Sequence, residues 1–497
     1  MRSGRNTVRR RRSERGVSTL ELRARAAPSA FPVAPVIVGT VLATVASTLA
    51  TIAPMLTLTG AAAFALAVAV WLRPPFAAYL LLAATPLVAG IDRGVALPLL
   101  RPSEAVVLLV GGVVLARYAT EVLHRQSTRL DVTSVDGALL LFCTAGSVVP
   151  LLAMAARNRE IGQDDVLFAL LVWKAYVVFL IVRWSVRTER EVRTCLWISM
   201  AGATAVGAIA ILQALEVPGI VGLLSTLYTP EGEEVALEFN RGTSTVGSSF
   251  AVAHLMVFNL AIAGGFLARR ASRHRVTLTL ASIGFVISTF ASGQFSAAIA
   301  LSVGVVALGF ITGYFARLVA LLTPCVAIAF FALRPVIERR LAGFDTAAGI
   351  PPSWIGRWEN LTTFFWPKLF SDFNVILGVR PAARVPIPVW LKEQGIPGTY
   401  VWIESGHTWL LWTGGIPFVV AFLVFVWIAV RTVARIARQR ADAIGVAAVA
   451  SFTALAVLTV LMTFDSVLTM RGSAEVNFAL LALACTATYR ADALARP

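Results

Sequence analysis

The sequence predicts an all-α, polytopic transmembrane helix bundle, on three observations. Of its 497 residues, 58% are hydrophobic and only 14% charged, and the mean hydropathy is +0.78, far from the balance of a soluble globular chain. Many separate stretches reach the roughly 20 apolar residues that a helix needs to cross about 30 Å of hydrocarbon. The third observation is negative: the segments of about ten alternating residues that mark a strand barrel do not occur.

In chain order, residues 1–32 include the run Arg9, Arg10, Arg11 and Arg12 and read as a basic, disordered cytoplasmic tail. A long apolar stretch and many further spans follow it, which argues against a cleaved signal peptide. A bundle is expected over 33–333, with spans at 33–53, 55–72, 75–90, 103–118, 137–155, 166–182, 195–212, 246–267, 276–290, 295–315 and 318–333. A large extracytoplasmic loop carrying short helices is expected over 334–406, because a connection of that length is too long to be bare. The C-terminal part, 407–497, adds spans at 409–430, 444–464 and 476–489. That makes fourteen, or twelve to thirteen if the weak spans near Pro75, Ser103 and Val476 drop out.

Net charge is +16, almost all of it arginine, since the only lysines are Lys174, Lys368 and Lys392. The arginines sit in short loops between apolar helices, so membrane topology explains them and nucleic acid is not an expected partner. With the N-terminus inside, Arg183, Arg187, Arg190 and Arg193 fall inside, as do Arg269, Arg270, Arg273 and Arg275, and then Arg431, Arg435, Arg438 and Arg440. The stretch 216–238 has five glutamates and no Lys or Arg, and falls outside. Both termini are then cytoplasmic and the chain belongs in the plasma (inner) membrane. Cys143, Cys195, Cys325 and Cys485 have no metal-ligand or disulfide-framework spacing and read as packing residues.

Motifs for nucleotide or metal chemistry are missing: no lysine follows a glycine, which excludes a Walker A loop, and neither HExxH nor paired CxxC occurs. No cofactor and no metal site is expected. In the large loop, Trp354, Trp358, Leu361 and Phe365 recur at helical spacing after Pro351, Pro352 and Ser353. They predict a short helix on the outer mouth or in the lipid interface, although Gly356 falls in its first turn. Among the histidines, His124 and His274 lie in arginine-rich inner loops and His254 within a span. His407 stands where the large loop re-enters the membrane, in Glu404-Ser405-Gly406-His407-Thr408-Trp409, with Gly414 and Gly415 about two turns on. In the first turn of a helix it would stay neutral and serve as a base, or else act as a capping residue.

Three outer arginines form the second signal. Arg241 precedes Gly242-Thr243-Ser244-Thr245 at the start of a span, where backbone donors and a guanidinium together suit a phosphate. Arg357, in Ile355-Gly356-Arg357-Trp358, and Arg380, in Leu377-Gly378-Val379-Arg380-Pro381, come from the large loop. With His407 they suggest an anionic, lipid-linked substrate; singly, each also reads as a snorkelling or paired surface arginine. Lys174 lies mid-span, where an ammonium needs a partner that the sequence does not name.

The order of these features resembles the O-antigen ligase and O-antigen polymerase superfamily of bacterial envelope glycan enzymes. Those are many-span bundles with an outer arginine opening a span and one large outer loop before the last spans, which ends in a histidine. Arg241, Arg357, Gly378 and His407 with Gly415 occupy those places in that order, and the resemblance runs from Val166 to the C-terminus. Thr408 stands where many members have Asn, and no second glycine follows Gly378 two residues on, so ligase and polymerase both stay open.

The resemblance implies a metal-independent, inverting glycosyltransferase acting on the outer face. The donor would be a polyprenyl diphosphate-linked glycan and the acceptor a hydroxyl of unknown origin. His407 would be the catalytic base, while Arg241, Arg357 and Arg380 would bind the diphosphate. The alternatives are a polyprenyl-phosphate-sugar glycosyltransferase with Asp92, or Asp164 and Asp165, as base, and a lipid-linked glycan flippase. A flippase should show internal halves with matching broken helices, and no such repeat is visible.

Overall fold

A computed structural model describes residues 54–93, 100–124, 132–228, 241–269, 274–344, 352–387 and 400–486. The basic tail, the expected span at 33–53 and residues 229–238 of the glutamate-rich outer segment lie outside these residues. Among the described residues the chain is a helical, multi-pass membrane protein. Its helices are α1 (Pro54–Leu72), α2 (Pro75–Val88), α3 (Pro102–Leu123), α4 (Ser134–Ala156), α5 (Gln163–Ala169), α6 (Leu171–Ser185), α7 (Glu189–Ala214) and α8 (Ile220–Leu227). There follow α9 (Ser249–Ala268), α10 (Arg275–Ala291), α11 (Phe295–Thr312), α12 (Phe315–Ala332) and α13 (Arg334–Leu341). The loop segment holds α14 (Pro352–Asn360), a π-helical turn (Leu361–Phe365), α15 (Trp366–Leu369) and α16 (Asn374–Leu377). It also holds β1 (Arg384–Pro386) and β2 (Tyr400–Trp402), which pair antiparallel with Val385 opposite Val401. The chain then re-enters the bundle through α17 (Gly406–Gln439), α18 (Ala443–Leu461) and α19 (Ser473–Cys485).

Nine helices among the described residues are long and apolar enough to cross a membrane, α5 and α6 counting together; α1, α2, α10 and α19 are shorter but apolar. Each expected span from 55–72 onward coincides with one of these helices. α9 is buried along nearly its whole length and packs against α7, α10, α11 and α18, so it needs no polar face. Outward faces of peripheral helices carry apolar side chains instead, such as Leu152 (64% exposed), Phe310 (69%) and Phe331 (76%). Exposure of that kind is stable only against hydrocarbon.

Local chemistry sets the helix ends. Thr188 and Glu191 form a reciprocal capping box at α7, with the Thr188 N–H donating to Glu191 at 2.9 Å and the Glu191 N–H donating back to the Thr188 hydroxyl. Ser405 caps α17 by accepting from the Thr408 N–H, and Asp442 caps α18 by accepting from the Gly445 N–H. α17 breaks at Gly415, whose φ of 63° and ψ of −155° leave the helical region two residues before Pro417.

The loop ends of the bundle differ in kind. At one end Glu121 of α3 meets Arg187 of the α6–α7 connection (3.3 Å), and Arg269 donates to the Ala437 carbonyl between α9 and α17. The other end gathers the α2–α3, α4–α5 and α18–α19 connections, the start of α9 and the large loop segment, and it contains the cavity described next.

Candidate functional site

A cavity of about 490 Å3 opens at that end, lined by Arg93, Arg101, Arg241, Arg357, Arg384 and Arg471. Three carboxylates, Asp164, Glu404 and Asp465, share its wall, and Leu167, Phe168, Leu171, Phe250 and Met470 form an apolar strip beside them. Asp92 and Glu104 stand just behind. Arg93 donates to Glu104 at 2.9 Å and Arg471 to Asp92 at 2.9 Å, while Arg101 sits 3.5 Å from each of these acids. Three guanidiniums therefore share two carboxylates. Burial pushes Arg471 down to about 10, with the neighbouring Arg101 charge adding to the effect, and burial also lowers Arg101. Both stay cationic at neutral pH. Crowded, partly desolvated like charges of this kind are relieved by an anion placed between them.

Arg241 and Arg357, both singled out from the sequence, line this one cavity, and with Phe250 they also line a smaller neighbouring cavity of about 40 Å3. The segment after Arg241 threads between helices. Gly242 N–H donates to the Ala291 carbonyl (3.1 Å), Thr243 N–H to Arg241 (2.8 Å) and Ser244 N–H to the Gln213 side chain (2.9 Å). The Ser244 and Thr245 hydroxyls donate to Val206 and Pro86 carbonyls. This corrects the expectation of a backbone phosphate cradle there: packing uses these donors, and what Arg241 brings to an anion is its guanidinium. Arg357 comes from α14, donates to the Phe464 carbonyl at 2.8 Å, lies over the Phe250 ring and faces Glu404 at 3.6 Å. α14 thus sits at the mouth, with Gly356, Arg357 and Asn360 on the cavity wall and Trp358 turned outward at 61% exposure.

Arg380 is elsewhere. It forks onto Asp165 at 2.9 and 2.6 Å, and Asp165 also accepts the Gly162 and Ala382 N–H groups. The hydrogen bond to Asp165 holds the Arg380 guanidinium above its ordinary range. It pins the loop to the start of α5 and is not on the cavity wall. His407 is exposed in the first turn of α17, its backbone N–H donating to the Met462 carbonyl at 3.3 Å, and it too is off that wall. The loop arrives instead with Glu404, whose carboxyl is pushed up by burial against the lowering pull of Arg357 and Asn360.

Sequence reasoning did not single out Arg93, Arg101, Arg384 or Arg471. Arg384 forks onto Asp164 (2.9 and 2.6 Å) while lying over Tyr400 (4.0 Å) and Trp402 (5.4 Å). For Arg471 a signal was available: Arg471-Gly472 opens a span as Arg241-Gly242 does. The acids considered as alternative bases are each bound to arginine, Asp92 to Arg471, Asp164 to Arg384 and Asp165 to Arg380. Lys174, left without a partner in the sequence, contacts Glu475 of α19. All four cysteines are buried free thiols. Compared with protein-family models, curated proteins and solved structures, the chain matches none.

Proposed function

We propose that the chain is a membrane glycosyltransferase of the O-antigen ligase kind, moving a glycan from a polyprenyl diphosphate carrier to an acceptor hydroxyl at the outer face. The observation that carries this reading is the convergence of six arginines from four separate connections on one cavity with an apolar strip. A diphosphate ester joined to a lipid and a sugar combines what that wall complements: concentrated negative charge and a greasy chain. Guanidiniums that bind the diphosphate bind it more strongly as the sugar–oxygen bond breaks and charge builds on the leaving oxygen, which lowers the barrier. Direct displacement by the acceptor would invert the anomeric carbon.

Orientation supports the same reading. The end away from the cavity carries Arg187, Arg190 and Arg193, then Arg269, Arg431, Arg435, Arg438 and Arg440, in short connections and in the helix turns beside them. Positive charge in short loops collects on the cytoplasmic side, which supports an outward-facing cavity in the plasma membrane. Trp402 and Phe168, in contact on or beside the wall, offer ring faces of the kind sugars stack on.

The test is binding of polyprenyl diphosphate to the purified chain, with polyprenyl alcohol as control, and transfer from a polyprenyl diphosphate-linked oligosaccharide. Preference for the diphosphate by a factor of at least about 100 is expected, from two or more charge-assisted contacts. Equal binding of diphosphate and alcohol, or binding without any loss of lipid-linked glycan, would sink the assignment.

A further inference from the structure

We propose that Glu404 takes the proton of the incoming acceptor hydroxyl, the task that the resemblance gives to His407. The inference rests on the glycan-transfer reading and deepens it by naming the base.

Position comes first. Glu404 lies two residues past the end of β2, and the intervening Ile403 N–H donates to the Ala383 carbonyl at 3.1 Å, so the short sheet fixes where the carboxyl stands. The next residue, Ser405, caps α17 and holds the other side. Between these anchors the carboxyl lines the cavity with a third of its side chain accessible, while His407, three residues later, is off the wall.

Availability comes second. Asp164 is forked by Arg384, and Asp465 accepts the Ser466 N–H at 2.7 Å. Glu404 instead faces Arg357 at 3.6 Å, longer than a direct hydrogen bond, and shares a neutral hydrogen bond with Asn360, so no guanidinium forks it. The charged groups that share the cavity wall with it are Arg93 and Arg101 of the α2–α3 connection, Asp164 of α5, Arg241 ahead of α9, Arg357 of α14, Arg384 of β1, and Asp465 and Arg471 between α18 and α19. Burial raises its proton affinity, which brings a carboxylate closer to the value a base needs near neutral pH.

In the step itself the acceptor O–H bond breaks and its proton passes to a Glu404 oxygen. The acceptor oxygen bonds the anomeric carbon as the bond from that carbon to the diphosphate oxygen breaks. The electron pair leaves on the diphosphate, whose charge the arginines neutralise, and Glu404 returns the proton to solvent.

The experiment uses the full chain in nanodiscs, a polyprenyl diphosphate-linked oligosaccharide as donor and a membrane extract from the parent strain as acceptor. Donor binding and single-turnover release of polyprenyl diphosphate are followed from about pH 5 to 9. Wild-type transfer should rise with pH through the raised Glu404 value and then level off. Glu404→Gln should keep donor binding, lose a factor on the order of 10² to 10⁴ in transfer and lose the acidic limb. His407→Ala should stay within about threefold of wild type with the limb intact, a span of under 1 kcal/mol. Glu404→Gln with wild-type transfer, or with donor binding lost, would overturn the role of Glu404 alone. Failure of the wild-type chain to bind the donor would overturn the transfer reading and this inference together.

Discussion

Gly378 of the loop and Gly415 of the α17 break lie backbone against backbone. A Cβ on Gly415 would come within 2.7 Å of the Gly378 nitrogen, and one on Gly378 within 2.5 Å of the Thr413 carbonyl oxygen. Both have positive φ, 81° and 63°. The α17 break also leaves the Trp412 carbonyl free to accept the Val379 N–H at 2.6 Å, so the helix defect is where the loop docks. Gly378→Ala and Gly415→Ala should each lower stability by more than about 2 kcal/mol, from backbone strain together with overlap. Gly356→Ala, with nothing within 4 Å of the added carbon, should be neutral or stabilising by up to about 1 kcal/mol. Thermal unfolding in detergent checks the contrast; equal midpoints for all three would refute it.

Arg241 and Arg380 should fail in different ways. Arg241→Ala removes a guanidinium from the cavity wall and should weaken diphosphate binding about tenfold to a hundredfold with little change in melting, and Arg241→Lys should recover only part of this. Arg380→Ala strands Asp165, whose side chain is fully buried, and should cost on the order of 3 kcal/mol of stability. Titrating both variants with polyprenyl diphosphate beside a melting curve separates the two roles. Similar losses of affinity at undiminished stability would place Arg380 in the site after all.

Lys174→Met should destabilise the bundle by about 3 kcal/mol, because it leaves the Glu475 carboxyl without its cation inside the membrane. Combining Lys174→Met with Glu475→Leu should restore most of that loss, since the desolvation cost of both charges goes with them. Denaturation of the single and double variants in mixed micelles gives the coupling. Additive losses would mean that the pair is not an interacting unit.

A cysteine at Phe373, 80% exposed beside α16, should react with an impermeant thiol reagent on intact cells. One at Leu123, 77% exposed at the far end of α3, should react only after permeabilisation. The four native cysteines are buried and should stay silent. Labelling of Leu123→Cys alone would reverse the orientation.

The helices were legible because a spanning segment announces itself locally: about 20 apolar residues suffice, whatever they pack against. Hence 444–464 and α18 coincide almost end to end. Less local features were harder to read. The break between α5 and α6 at Leu170 carries neither Gly nor Pro, and the π turn after Asn360 has no marker of its own. At the site, Arg241 and Arg357 stood out through their immediate neighbours. Arg93, Arg101 and Arg384 look like ordinary loop arginines, and what distinguishes them is convergence from distant segments. Arg380 had the same appearance as Arg357, yet a buried aspartate more than two hundred positions away claims it. The partner of Lys174 lies on the last described helix, which no local pattern could supply.

The contact between Arg471 and Asp92 joins positions 379 residues apart. During synthesis the first of these emerges long before the second, and Arg471 can arrive only with the loop ahead of α19. Asp92 and Glu104 therefore wait at the α2–α3 connection with fewer cations than they finally share, and the wall they support closes last. A chain truncated after α18 would contain every candidate site residue read from the sequence, Arg241, Arg357, Arg380 and His407. It would still lack a finished cavity. Incomplete chains would hold an unsealed cavity.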